Sequence, residues 1–305
     1  MKRIIKIDAS SLKESACDLR FYNIVIAGYS SGEITNSLLY GSAVHKFIEV
    51  MFLTGGKLNE AVTAAKEIFD KPCKILSTKK YLTANHLFAT CISLWQDFIE
   101  KDDFEYFHDA NDKPAVEITF SIKIFEDEQT IIYLEGTIDK LGKIKNGCYA
   151  VGDYKTSGAY NPEDYFEGYR LSPQLKTYVW AFKALASIEP DGPFAKIAST
   201  PIGAFVDGIF LSPSKPSSFI RSEVTIFKEE DLFVYERLLM DTCKRIAQWK
   251  SPPLANGLIN GACETKYGRC RYFNVCAAPD NKSREYILQN KFTIKSYQPL
   301  LFGKD

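Results

Sequence analysis

The chain has 305 residues, 46% of them hydrophobic, 25% charged and 13% aromatic, which excludes a disordered, collagen-like or coiled-coil protein. Its 38 Lys and Arg balance 38 Asp and Glu, so no global positive charge holds the chain on DNA; any nucleic-acid contact needs a local basic groove. No apolar run approaches the roughly 18 residues of a membrane helix, and MKRIIKIDASS turns polar at Asp8 before a signal-peptide core can form, so a cytoplasmic protein without membrane contact is expected.

Ser10 or Ser11 is placed to cap a first helix over 11–27 that carries Cys17. A second helix is expected over 36–53, where Leu38, Val44, Ile48, Met51 and Phe52 approximate an apolar stripe and Gly55-Gly56 stops it. Further helices follow at 58–70 and 77–100. The period then changes. Val116, Ile118, Phe120, Ile122 and Ile124 alternate with Glu117, Thr119, Ser121 and Lys123, as in a half-buried strand. Strands are expected at 130–142 and 148–155, a helix at 171–187, a strand at 202–212, a loop at 212–218 and a helix at 228–250. A Gly/Asn-rich loop, a cysteine-rich segment at 263–276 and a polar tail close the chain. This order predicts one α/β domain with a helical insertion at about 57–107.

Asp139 falls near the end of the second predicted strand, and Asp153-Tyr154-Lys155 ends the third. Strand alternation puts Asp153 and Lys155 on one face, about 6.6 Å apart along the strand. Two carboxylates and a lysine at neighbouring strand ends suit a hard cation such as Mg²⁺ or Mn²⁺, which lowers the pKa of water and polarises a phosphodiester. The lysine can orient that water or stabilise developing charge. In the second helix Gly41 lies one turn before His45 on the same face, and Glu49 is four residues beyond His45, placed to orient it. Gln174 and Tyr178 are likewise i and i+4, able to contact DNA or buttress Lys155. Singly, these read more readily as an ordinary strand end, a satisfied core histidine and a polar helix pair.

The ordered series Gly41/His45, Gly136/Asp139, Asp153/Lys155 and Gln174/Tyr178 resembles the PD-(D/E)XK nuclease superfamily, specifically its RecB-like exonuclease branch. The resemblance covers about residues 36–187. It implies a restriction-endonuclease-like core, a central mixed β-sheet flanked by helices. It implies a metal held by His45, Asp139, Asp153 and the carbonyl of Tyr154, with Lys155 as the catalytic lysine. Asp153 stands where many relatives carry Glu.

A reducing compartment disfavours disulfides, so clustered cysteines point to metal or redox chemistry. Cys263, Cys270 and Cys276 lie in ACETKYGRCRYFNVC, and Cys17 lies far upstream in SACDLRFYN. Four thiolates suit a [4Fe–4S] cluster or a Cys₄ zinc site. Members of the resembled branch that hold such a cluster use one N-terminal and three C-terminal cysteines, and begin as Ser11, Cys17, Arg20, Phe21 and Tyr22 do here. Their usual trio has two residues between its first pair; this chain has six, as in phage-type members. The implied clasp joins 11–27 to 263–276 around a single nuclease domain with core 36–212 and tail 284–305. Cys73, Cys91, Cys148 and Cys243 sit in apolar contexts and receive no role.

Lys140, Lys143, Lys145, Lys155, Arg170 and Lys176, with Lys266, Arg269 and Arg271, are candidates for a phosphate-tracking groove. Tyr160, Tyr165, Phe166 and Tyr169 are candidates for stacking on unpaired bases. The tail residues Gln298, Leu301 and Phe302 resemble peptides that bind bacterial sliding clamps. The expected activity is metal-dependent DNA exonucleolysis on single strands or ends, in phage or bacterial replication, recombination or repair. A CRISPR-adaptation-like nuclease, a DNA-binding or assembly subunit retaining the fold, and a redox sensor are the alternatives.

Overall fold

The computed structural model describes the chain apart from residues 1, 31–35, 71–77, 110, 146, 159–160, 171, 189–191, 193, 199, 212–215, 266–267 and 298–305. In chain order its strands are β1 (Arg3–Ile7), β2 (Tyr29–Ser30), β3 (Glu105–Tyr106), β4 (Val116–Glu126), β5 (Thr130–Lys143), β6 (Tyr149–Ser157), β7 (Ile202–Phe210), β8 (Ser218–Arg221), β9 (Thr225–Ile226), β10 (Glu264–Thr265), β11 (Gly268–Arg269) and β12 (Thr293–Ile294). Its α-helices are α1 (Ala9–Glu14), α2 (Asp18–Phe21), α3 (Asn36–Leu53), α4 (Leu58–Asp70), α5 (Thr78–Ile99), α6 (Pro162–Arg170), α7 (Pro173–Ile188), α8 (Ala195–Ala198), α9 (Glu229–Ala247), α10 (Phe273–Cys276) and α11 (Asn281–Lys291). The expected central mixed sheet flanked by helices is present, with strand order β1-β5-β6-β7-β8.

The chain divides into two compact units, one of residues 34–119, 137–232 and 302–305, the other of residues 1–33, 120–136 and 233–301. In the first, the second half of β5 pairs antiparallel with β6, and β6 pairs parallel with β7 over nine residues. A parallel pair needs a crossover, and α6 and α7 supply it. Strand β7 is buried along its whole length, whereas in β4 the exposed Thr119, Ser121 and Lys123 alternate with the buried Phe120 and Ile122, a face open to water. Helix α3 lies over β6 and carries α4 and α5 on its outer side. Phe47 of α3 packs edge-on against Trp95 of α5 at 5.5 Å, within a core that includes Val44, Ile48, Phe88, Tyr154 and Ile209. Each such fully buried aromatic or aliphatic side chain contributes roughly 1.5–3 kcal/mol.

In the second unit β1 runs parallel to the first half of β5. Arg3 caps the end of α9, donating to the carbonyls of Ile246, Ala247 and Trp249 at 3.2, 3.1 and 2.8 Å. The helix expected over 11–27 is broken. The cap of α1 is Asp8, not Ser10 or Ser11; Ser11 serves as the third helical residue of a capping box with it. The chain then turns at 15–17, Cys17 takes extended backbone as the cap of α2, and 22–26 close in a π turn. The polar tail is also more ordered than expected: Asp280 caps α11 through the Ser283 N–H, and β12 pairs with β2.

Candidate active site

Four elements deliver the predicted residues to one place in the first unit. Helix α3 supplies His45, β5 supplies Asp139, β6 supplies Asp153, Tyr154 and Lys155, and α7 supplies Gln174 and Tyr178. Asp139 and Asp153 are nearly inaccessible, at 3% and 1% exposure, and His45 is buried. The Asp139 Oδ2 accepts the Tyr154 N–H at 2.6 Å, which ties β5 to β6 at the site. His45 Nδ1 lies 3.6 Å from that same oxygen, while its Nε2 donates to the Tyr154 carbonyl at 3.0 Å. Lys155 Nζ reaches Asp153 Oδ2 at 2.5 Å, as expected for residues two apart on a strand. Gln174 donates to Asp153 Oδ1 at 3.1 Å and to the Tyr178 hydroxyl at 2.8 Å. The pair on α7 thus buttresses the carboxylate rather than Lys155.

A residue that the alternation misassigns joins them. Glu117 Oε1 lies 3.9 Å from His45 Nδ1. Among the described residues, His45, Glu117 and Asp139 are the one set of three potential ligands whose donor atoms all lie within 4.8 Å of one another. The pattern of β4 assigns Glu117 to the solvent face with Thr119 and Ser121. Its backbone instead takes φ 50°, a left-handed conformation that costs a non-glycine residue on the order of 1–3 kcal/mol and turns it out of the alternation. No period in the sequence signals that.

Glycines around the site have distinct reasons. A Cβ on Gly136 would strike the Phe120 ring at 2.7 Å, a packing constraint. A Cβ on Gly41 would stand 3.5 Å from Thr156 Oγ1, an ordinary contact, so α3 does not need glycine there to reach β6. Glu49 pairs with Lys46 at 3.1 Å, and the carboxylates at His45 Nδ1 are those of Asp139 and Glu117.

Burial opposes charge on the His45 imidazole, but Asp139 and then Glu117 outweigh it and push the group up to about 9. Burial raises the Asp139 carboxyl, against His45 and with Glu117. Burial raises Asp153 as well, against Lys155. Burial works to lower Lys155, but Asp153 and then Asp139 hold it above the ordinary lysine range. The carboxylates thus favour the charged forms of Lys155 and His45 against the burial that opposes them. Buried carboxylates with an imidazole and a carbonyl form an oxygen-rich donor set that fits Mg²⁺ or Mn²⁺.

The candidate contacts to nucleic acid separate. Lys140 is fully buried and ion-paired to Asp207, so it does not track phosphates. Arg170 pairs with Glu167. Tyr165 and Tyr169 share a hydroxyl contact of 3.1 Å on α6, and Tyr165 and Phe166 meet the Phe210 ring edge-on. Tyr160, Lys266 and the tail residues Gln298, Leu301 and Phe302 lie outside the described residues.

In the second unit Cys17, Cys263, Cys270 and Cys276 line one cavity of about 190 Å³, otherwise walled by Leu19, Leu258, Tyr272 and Phe273. The long gap between Cys263 and Cys270 is taken up by a hairpin: β10 pairs with β11, and the Cys270 N–H reaches the Cys263 carbonyl at 2.8 Å. Six intervening residues return the chain to its start. A Cβ on Gly257 would lie 2.8 Å from Cys17 Cβ, so only glycine lets that loop close over Cys17. No three of the four sulfurs lie within 4.8 Å of one another.

Two solved structures are similar in part. One, from Eubacterium rectale, is described as a "Putative exonuclease"; it is 14% identical, covers 90% of this chain and 88% of its own, and has a TM-score of 0.43. The other, SSO0001, is 13% identical over 81% of this chain and 78% of its own, with a TM-score of 0.31. No protein-family model and no curated protein matches the chain. Among the described residues no helix is long and apolar enough to cross a membrane.

Proposed function

We propose that the chain is a Mg²⁺- or Mn²⁺-dependent deoxyribonuclease of the PD-(D/E)XK type, RecB-like in its site, which degrades single-stranded DNA or DNA ends as an exonuclease. The observation that carries this reading is the meeting of His45, Asp139, Asp153 and Lys155, drawn from three separate elements, at one buried place. Burying carboxylates is costly unless a cation satisfies them, and Lys155 is only part of that compensation.

His45, Asp139, Asp153 and the Tyr154 carbonyl would hold the divalent ion, with Glu117 beside them. When bound, the ion lowers the pKa of water and neutralises charge on the phosphodiester. Lys155, held charged by Asp153, stabilises the negative charge that builds at phosphorus. Gln174 keeps Asp153 turned toward the lysine and is itself held by Tyr178. The four cysteines would hold a [4Fe–4S] cluster as a structural clasp, with zinc as the alternative occupant. A reducing cytoplasm, in phage or bacterial DNA replication, recombination or repair, is the matching setting. CRISPR spacer processing is a variant of the same chemistry.

End-labelled single- and double-stranded DNA incubated with anaerobically purified protein and Mn²⁺ tests the reading. Metal-dependent degradation should fall at least about 100-fold in Lys155→Ala, with the fold intact by circular dichroism. Well-folded protein with its cofactors bound that cuts no DNA would instead support a binding or assembly subunit.

A further inference from the structure

The face of the sheet behind the candidate site carries a buried row of charge that the proposed chemistry does not use. Alternation along β5 and β6 turns Asp139, Asp153 and Lys155 one way and Lys140 and Tyr154 the other. Lys140 and Asp207 are paired and wholly inaccessible. Asp207 is the register partner of Tyr154 on β7, and Arg221 the register partner of Asp207 on β8. Arg221 donates to Asp207 at 2.8 and 3.0 Å and grips both oxygens of Asp102 at 2.7 and 2.8 Å. The Lys140 ammonium lies among the rings of Tyr154, Phe104, Phe205 and Tyr106, at 4.3, 5.0, 5.1 and 5.9 Å. Its register partner is Gly152, where a Cβ would lie 2.5 Å from Lys140 Cε. The strand leaves room for this lysine.

Stability does not account for the row. Apolar side chains of similar volume commonly serve as well as a buried ion network or better. What the row does reach is one hydroxyl. Lys140 donates to Tyr154 OH at 3.0 Å, and the Tyr106 hydroxyl lies 3.1 Å from the same oxygen. Tyr154 is the residue between Asp153 and Lys155. Its N–H is held by Asp139 at 2.6 Å, and its carbonyl faces His45 Nε2 at 3.0 Å.

We propose that Lys140, Asp207, Arg221 and Asp102 form a positioning network that pins the Tyr154 side chain from behind and so fixes its carbonyl and N–H at the cation site. The inference rests on the cation reading above. None of the four touches the reacting atoms; they act through Tyr154, as outer partners of metal ligands commonly do.

Two variants separate this role from a structural one. Lys140→Met keeps the volume but leaves Asp207 and Asp102 sharing the one cation of Arg221, so it should fold with a lower melting temperature. Tyr154→Phe keeps the ring and removes only the hydroxyl. Each should weaken Mn²⁺ binding, measured by calorimetry, about 10-fold and lower kcat similarly with KM for DNA unchanged. The double variant should be no worse than either single, because both break one connection. If both bind Mn²⁺ and cleave as the wild type does, the network is structural only and the proposal falls while the nuclease reading stands. Should Lys140→Met fail to fold, wild-type Mn²⁺ affinity in Tyr154→Phe alone overturns the proposal. A wild type that cuts no DNA and takes up no Mn²⁺ removes the nuclease reading and the network with it.

Discussion

Glu117 shows how much one backbone dihedral decides. At φ 50° its carboxylate comes within 3.9 Å of His45 Nδ1, although its place in an alternating strand assigns it to solvent. Glu117→Gln should weaken Mn²⁺ affinity about 10-fold with the fold intact, read by calorimetry and circular dichroism. The cysteines divide at the same scale. Burial pushes the thiols of Cys91 and Cys243 up to about 12. Only a thiolate reacts, so neither should be alkylated by iodoacetamide at neutral pH in the folded protein, whereas half-exposed Cys148 should be. Mass spectrometry of labelled peptides checks both halves of that statement.

Individual elements differ in how plainly the sequence announces them. Helices α3 and α4 have the boundaries their patterns predict, because a stripe of core residues and a Gly-Gly stop agree. Strand β1 escapes the pattern: its five residues RIIKI include two charges, and only pairing with β5 shows that Ile5 and Ile7 are the buried ones. Helix α6 has no buried residue, so no apolar period marks it. The end of β4 is tied down electrostatically. Lys123 and then Lys2 hold Glu126 far below the usual carboxylate range, at about 2. A depressed carboxyl contributes stability above its unfolded value near 4.5 and loses it as pH falls toward 2. An NMR titration should therefore place the Glu126 midpoint below the usual carboxylate range, and Glu126→Gln should remove that small acid-side dependence. The pair is exposed, so its effect at neutral pH is minor.

For the whole molecule, the proposed cysteine clasp has the largest consequence. Cys17 and Cys263 are 246 positions apart, yet they line one cavity. A crosslink over so long a loop removes unfolded-chain entropy worth about 4 kcal/mol or more. Anaerobically purified protein should carry about four irons per chain and a broad visible absorbance. Cys276→Ala should lose both and melt on the order of 10 °C lower. A chain with one zinc and no iron would end the cluster reading.

Most of the candidate site was legible because its residues occur in an ordered series and strand alternation puts Asp153 and Lys155 on one face whatever surrounds them. The strands were legible because the change from helical to alternating period is local, whereas their mixed pairing came only as what the family resemblance implies. Besides Glu117, three things were not. The partner of Gln174 is Asp153 rather than Lys155, because the crossover of α7 sets which strand residue it meets. Lys140 reads as one more basic residue beside the site until pairing with Asp207 shows it buried behind it. The six-residue gap between Cys263 and Cys270 looks like a departure until the hairpin folds it back. The local pattern determined the elements and the faces of their side chains. Pairing between distant segments decided what those faces meet, because register and crossover depend on residues far apart in the chain.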